Sequence, residues 1–422
     1  MRSINAFNCL KPEKKRNLLT LFVAGLLFWF SITSLLPVLP LYIQSVGGTK
    51  EQIGLVMGCF AIGLLLSRTF LGQTADRQGR KIVILIGTVV VGTAPLGYLF
   101  AKSIAALMFI RAFHGISIAA FTTGYSALVV DLAPAKQRGE LIGYMSLAIP
   151  IGMAIGPAVG GYLQEYFGYS ILFAIASVAG WLAWVCALQI QEESKHNLAL
   201  DRENRESLPT RNFWELMINP ALSVPALILL MVGLLFGSLV AFLPLYVEEL
   251  AVGESSLDFN AGLFYAIAAI ASFLSRAFVG KASDNFGRGL FITGSLVCYG
   301  SSMILLANAT TSSTLIMAAL LEGAGGGIFI PMSIALLSDR SYHNERGKVY
   351  SICIGGFDLG VASAGVIFGY LSARLGYSTI FLVTGQLAFL GLIIFLFKSN
   401  RNLQKSLRFA MGKGKDYYAL SK

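Results

Sequence analysis

Apolar residues in this chain come in long unbroken runs, and polar residues gather in short clusters between them. Twelve apolar runs stand near 18–44, 52–72, 82–101, 104–131, 140–164, 169–190, 221–248, 259–281, 290–308, 313–338, 348–372 and 377–398. A helix needs about 20 such residues to cross the hydrocarbon core of a bilayer. A membrane β-barrel would show alternating segments of about 10 residues instead. The pattern therefore predicts an all-α polytopic membrane protein with twelve transmembrane helices. One polar stretch is longer than the rest. Residues 191–220 carry Glu192, Glu193, Lys195, Asp201, Arg202, Glu203, Arg205 and Glu206 and close on Pro220, which reads as a cytoplasmic linker with a short surface helix around 213–217. The expected parts are an N-terminal segment 1–17, a six-helix bundle 18–190, the linker 191–220, a second six-helix bundle 221–398, and a basic tail 399–422 that is mobile at its end.

The two halves repeat one another. Leu66-Ser67-Arg68-Thr69-Phe70-Leu71-Gly72, with Asp76, Gly79 and Arg80 after it, returns 208 residues later as Leu274-Ser275-Arg276-Ala277-Phe278-Val279-Gly280, with Asp284, Gly287 and Arg288. Eight of the sixteen positions from 66 to 81 are identical at that offset. The same offset carries Asp131 onto Asp339, Arg138-Gly139 onto Arg346-Gly347, and Gly168-Tyr169-Ser170 onto Gly376-Tyr377-Ser378. A register kept over this distance marks a duplicated half. With six spans in each, both halves enter the membrane in the same orientation, as pseudo-symmetric parallel repeats. Such repeats point to a transporter with its substrate site between them.

Composition supports the membrane reading: 55% of residues are hydrophobic and 13% charged, against about 25% charged in soluble proteins. Mean hydropathy is +0.70. The net charge of +10 would suit a nucleic-acid partner, but its distribution argues otherwise. Of 32 Lys and Arg, 26 lie in the N-terminus, the 2–3, 4–5, 6–7, 8–9 and 10–11 connections and the C-terminus. Lys50, Lys102 and Arg374 alone lie in connections on the other side. That bias puts both termini in the cytoplasm of a plasma membrane, bacterial in type, with the basic residues against anionic lipid and no nucleic acid involved. Five scattered cysteines show neither metal spacing nor a disulfide framework. No phosphate-binding loop or enzyme motif is present, so no metal, no cofactor and no enzymatic activity are expected.

Residues Gly72-Gln73-Thr74-Ala75-Asp76-Arg77-Gln78-Gly79-Arg80-Lys81 make a short turn whose Gly79 gives backbone freedom. This string resembles the loop 2–3 signature of the major facilitator superfamily, G-x-x-x-D-R-x-G-R followed by Lys or Arg. The 8–9 connection holds a degenerate copy, with Asn285 where Arg77 stands. The resemblance implies a cytoplasmic gating network of Gly72, Asp76, Arg77, Gly79 and Arg80, echoed by Asp284 and Arg288. Asp131 and Asp339, each seven residues before Arg138 and Arg346, read as parts of the same network. Arg111-Ala112-Phe113-His114-Gly115 resembles the R-x-x-q-G motif of span 4, whose Arg is tied to proton coupling; His114 stands where Gln is usual. Gly152, Gly156, Pro157, Gly160 and Gly161 match the antiporter motif G-x-x-x-G-P-x-x-G-G of span 5. Leu36-Pro37-Val38-Leu39-Pro40 resembles a pattern of twelve-span drug:proton antiporters. Independently of the family, glycines every four residues leave one flat helix face, and Pro157 removes a backbone hydrogen bond. Together they read as a hinge or seal where the halves meet.

Charges inside the apolar runs are costly and so informative. They are Arg111 in span 4, Glu322 in span 10 and Asp358 in span 11, with Arg68 and Arg276 nearer the cytoplasmic ends and expected to snorkel. A carboxyl in hydrocarbon favours its neutral form and can exchange a proton near neutral pH, as a proton-coupled carrier requires. Glu322 falls on His114 at the 208 offset, one helical turn from Arg111. Arg111, His114, Glu322 and Asp358 are thus the expected proton-coupling residues. The expected function is proton-coupled efflux of a small molecule, multidrug resistance included, by a monomer in the lipid bilayer powered by the proton gradient. The alternatives are a sugar or metabolite symporter or uniporter, and a non-transporting assembly or sensor protein of the same fold. Span 1 carries no Asp or Glu, which leaves neutral, anionic and sugar-like substrates open.

Overall fold

The computed structural model describes residues 10, 12–134, 138–191, 212–252, 259–342 and 345–420. Among them the secondary structure is helical throughout, with no strand. In chain order the helices are α1 (Pro12–Ser34), α2 (Leu39–Ser45), α3 (Lys50–Gln78), α4 (Arg80–Phe100), α5 (Ile104–Leu132), α6 (Arg138–Met145), α7 (Ala148–Leu188), α8 (Phe213–Ile218), α9 (Pro220–Val252), α10 (Ala261–Phe286), α11 (Arg288–Ala307), α12 (Ser312–Asp339), α13 (Arg346–Lys398) and α14 (Leu403–Ala410). Helix α8 is the expected surface helix; most of the linker, 192–211, lies outside the described residues.

Among the described residues ten helical stretches are long and apolar enough to span a membrane, and two of them are double. Helix α7 breaks at Gly168 (φ 79°, ψ 176°) and α13 at Gly376 (φ 80°, ψ 171°), so the ten stretches make twelve crossings. Both breaks use a left-handed φ, which glycine adopts without the Cβ penalty of other residues. Gly168 and Gly376 are partners at the 208 offset, and so are Gly79 and Gly287, the positive-φ residues that start α4 and α11. Ser103 and Thr311 pair the same way: each caps its helix by accepting a hydrogen bond from the amide three residues on, at 3.3 Å. The duplication thus sets helix starts and stops as well as residue types. Large apolar side chains such as Phe70 and Phe278, 69% and 76% exposed, point away from the packed interior, as residues facing lipid must.

The chain divides into two compact units, one drawn mainly from residues before 192 and the other mainly from residues after 211. In the first, α1 packs along α7, and α4 packs on both α5 and α7. Phe28 stacks on Phe121 at 4.0 Å in its core, with Leu18, Leu21, Val91 and Leu128 around them. In the second unit, α9 packs along α13, and α11 lies against α12 and α13.

The tail departs from the mobile end expected of it. Helix α14 packs against α11 and α13, burying Phe409 beside Phe395. Beyond it, Asp416 takes both ends of the Arg340 guanidinium, Nε at 2.8 Å and Nη2 at 3.1 Å. The same guanidinium donates to the carbonyls of Ala221 and Ser399, at 2.9 and 2.7 Å, and its side chain is wholly buried. The Leu420 amide then donates to the Asp339 carbonyl at 2.9 Å. A basic, polar tail reads as unstructured because its anchor is a single acid, Asp416, whose partner lies far away in sequence.

Candidate functional site

The residues expected at the gate are placed by the two positive-φ glycines. Gly79 turns the chain so that α4 begins at Arg80, whose Nε lies 3.5 Å from Asp131 Oδ2 at the end of α5. Gly287 does the same for Arg288, whose Nη1 lies 2.6 Å from Asp339 Oδ2 at the end of α12. Arg288 also donates to the Ala335 carbonyl. One ion pair therefore occurs twice, at matching positions in the two units. Each partner keeps between 17% and 32% of its side-chain surface, so each pair is partly hydrated and weakly stabilising, at about 0–1 kcal/mol. Such a pair can open and close without large cost. Arg77 is exposed in the last turn of α3, and a Cβ on Gly72 would meet nothing within 4 Å. The side chains of Asp76, Arg138, Asp284 and Arg346 lie outside the described residues.

The antiporter glycines pack within their own unit. A Cβ on Gly152 would run into Trp29 Cβ, one on Gly156 into Thr33 Oγ1, and one on Gly160 into the Ser34 carbonyl. Thr33 donates to the Gly152 carbonyl at 2.9 Å, which ties α1 to α7. Pro157 and Gly161 are buried in the same helix. The flat face read from sequence as a hinge or seal between halves instead seats span 1 on span 5 of one bundle. Periodicity identified the face but carried no information about its partner.

Arg111 and His114 sit on α5 inside the first unit. Arg111 is 5% exposed, and its guanidinium lies 4.4 Å from the centroid of the Phe60 ring of α3. His114 is completely buried, and its Nδ1 is 3.1 Å from the Tyr98 hydroxyl of α4. Tyr98 is buried too and also bonds Arg111. Arginine can only donate, so the Tyr98 oxygen accepts from Arg111. Two buried nitrogens, Arg111 Nε and His114 Nε2, have no hydrogen-bond partner among the described residues. His114 is turned into its own bundle, against Tyr98 and Phe60.

The second unit holds a counterpart. Glu322 on α12, 9% exposed, lies within electrostatic reach of Tyr299 on α11, as does Arg276 on α10. Arg276 is half-buried, with its Nε out of contact with solvent and Tyr299 within electrostatic reach. The two clusters stand on equivalent helix crossings. A Cβ on Gly115 would run into the Phe60 carbonyl, and one on Gly323 into the Ala268 carbonyl. Both members of each contact are related by the 208 offset. Asp358, also 9% exposed, sits on α13 where Gly233 of α9 crosses at the Phe357 carbonyl. Among the described residues no group of His, Cys, Asp and Glu is suited to hold a metal.

Sequence reasoning missed Tyr98, Tyr299 and Phe60. A tyrosine in an apolar run reads as core or interface, and only the packing of α4 on α5 and of α11 on α12 shows the polar partner each hydroxyl meets.

The profile of the Major Facilitator Superfamily matches residues 21–288 and 256–416. An uncharacterized MFS-type transporter of Methanocaldococcus jannaschii is 25% identical over 368 residues, which cover 87% of this chain and 94% of that protein. The multidrug resistance protein MdtG of Escherichia fergusonii is 26% identical over 385 residues, covering 90% and 93%. Among solved structures, the nucleoside transporter NupG superposes with a TM-score of 0.74 at 13% identity, covering 90% of this chain and all of that one.

Proposed function

The chain belongs to the major facilitator superfamily, and from that premise we propose that it exports small molecules in exchange for protons. It is an integral multi-pass membrane transporter of the family fold. The observation that carries the proton-coupled reading is Glu322, a carboxyl packed at a glycine crossing in the middle of α12, beside Tyr299. An acid kept there at the expense of its hydration is suited to taking and releasing a proton with each cycle. Asp358 is the second candidate for this role. Arg111 carries a fixed charge that biases the proton equilibria around it. The twin pairs Arg80–Asp131 and Arg288–Asp339 serve as the gate at the cytoplasmic ends, opening and closing as access alternates. Proton-gradient energy needs no bound nucleotide. The name of the MdtG relatives supports export and a multidrug range. The protein works as a monomer in the plasma membrane, with both ends in the cytoplasm.

The test is transport in proteoliposomes carrying an imposed proton gradient. Substrate should move against the proton flux, the movement should stop with an uncoupler, and Glu322→Gln or Asp358→Asn should abolish uphill transport while leaving exchange between equal pools. Accumulation of substrate in the same direction as protons would overturn the antiport reading in favour of symport.

A further inference from the structure

The C-terminal tail is fastened to the second unit at the two helices that carry the Arg288–Asp339 pair. On α11, the Thr293 hydroxyl donates to the Ala410 carbonyl at 3.0 Å, and a Cβ on Gly289 would run into the Phe409 carbonyl. On α12, the Leu420 amide donates to the Asp339 carbonyl, and Asp416 pairs with Arg340. Both attachments adjoin the pair itself. At the 208 offset Arg340 falls on Leu132, so the first half carries no arginine at the matching position. The tail is an addition to the repeat, and only part of its surface is spent on holding it in place.

At about 100° per residue, the sides of α14 separate into three stripes. Ser406, Phe409 and Ala410 are buried against the bundle. Leu403, Leu407 and Met411, spaced four apart, form a second stripe that is 54%, 37% and 54% exposed. Gln404 and Arg408 follow on a third side, also exposed. From Lys398 to Lys415 the chain carries six Lys and Arg and no acid, and the next acid, Asp416, is engaged by Arg340. Arg401, Arg408, Lys413 and Lys415 are exposed and form no ion pair among the described residues. Lys405 differs, since its ammonium lies over the Tyr417 ring. Helix α14 starts at Leu403, just past the membrane span that ends at Lys398. An apolar stripe beside a cationic one, at that position, is the make-up of a helix lying in a bilayer interface.

We propose that the exposed side of α14, with Arg401, Arg408, Lys413 and Lys415, binds anionic phospholipid headgroups of the cytoplasmic leaflet, and that this contact holds the tail against the Arg288–Asp339 pair. Leu403, Leu407 and Met411 enter the acyl boundary while the basic side chains reach the headgroups. Lipid and bundle use different sides of the helix, so both engage it at once. A detached helix of 8 residues is too short to keep its fold in water, so the lipid-facing stripe is ready-made only in the docked tail. Anionic lipid therefore binds the docked form more tightly and shifts the tail toward it. The lipid surface stands apart from the transport reading; only its bearing on the gate rests on it.

The experiment uses the full chain in nanodiscs of phosphatidylcholine, with or without an equal part of phosphatidylglycerol, and follows hydrogen exchange over residues 400–420. Phosphatidylglycerol should slow exchange at the Leu420 amide, which is bonded to the Asp339 carbonyl only in the docked tail, by about 10-fold, the effect of a few basic residues at an anionic surface. High salt should shrink that difference. The triple variant Arg401→Gln, Arg408→Gln, Lys413→Gln should exchange alike in the two lipids, and Leu407→Gln should reduce the difference. In phosphatidylcholine alone both variants should match the wild type, because none of these side chains holds the tail to the bundle. Should the triple variant fail to fold, the salt dependence and Leu407→Gln decide. Equal exchange of the wild type in the two lipids, faster exchange with phosphatidylglycerol, or a lipid effect that survives the triple variant would overturn the proposal. Proton-driven efflux in proteoliposomes is scored separately. Failure of antiport leaves the lipid effect on exchange standing, and loss of the lipid effect leaves the antiport reading standing.

Discussion

Replacing Asp416 by Asn should release the C-terminal tail. Arg340 is wholly buried, while Asp416 keeps 12% of its side-chain surface. Removing one partner of a buried pair costs about 3–5 kcal/mol. Two features lower that figure here: the Ala221 and Ser399 carbonyls still accept from Arg340, and a detached tail admits water to the guanidinium. Asn also keeps one acceptor oxygen of the original two. The expected loss is then about 2–3 kcal/mol, which raises the equilibrium for tail opening roughly 30- to 150-fold. Hydrogen exchange read by mass spectrometry over residues 400–420 measures that opening directly, since protection of a locally opening segment tracks its opening equilibrium. The Leu420 amide, bonded to the Asp339 carbonyl, should lose protection by that factor, and Met411, bonded within α14, by less. Lys405→Gln, which alters only the exposed contact with the Tyr417 ring at 3.9 Å, is the matched control and should change little. The double replacement Arg340→Met with Asp416→Leu should cost less than either single change, because no uncompensated charge is left behind. Unchanged exchange in Asp416→Asn would refute the reasoning and assign the tail's attachment to the apolar contacts of Phe409.

Three other outcomes are expected. Gly115→Ala and Gly323→Ala should each force α5 from α3 and α12 from α10, costing about 1–3 kcal/mol by overpacking, and both should lower the melting temperature; Gly72→Ala, with open space around it, should not. The charge-swapped double variant, Arg288→Asp with Asp339→Arg, should restore transport lost in either single variant, while the single variants shift stability by no more than about 1 kcal/mol, because the pair is partly hydrated. A transport defect that the swap fails to rescue would remove the pair from the gate. Ser103→Ala should destabilise the start of α5 by about 1 kcal/mol through loss of its cap, seen as faster exchange at Ala106, and Thr311→Ala should do the same to α12 at Thr314.

Span pattern, duplication and local backbone geometry were all legible in the linear chain. Apolar runs reveal spans because a bilayer imposes one length on every helix. Gly79 could be read as a turn point because glycine alone reaches a positive φ without cost, whereas Gly168, Gly287 and Gly376 stood out only as positions the duplication repeats. Arg80 with Asp131 and Arg288 with Asp339 were legible as one network because each lies at a helix end fixed by those turns. Which faces meet was settled by packing alone. Periodicity showed that Gly152, Gly156 and Gly160 share a face, and the fold supplied Trp29, Thr33 and Ser34 as its partners. Arg111 looks like one isolated charge until α4 and α3 bring Tyr98 and Phe60 to it. The tail looks mobile until Arg340 is seen buried around Asp416. Spacing along the chain determines which residues share one face of a helix, whereas the rotation and crossing of that helix against its neighbours are set jointly by side chains distant in the chain.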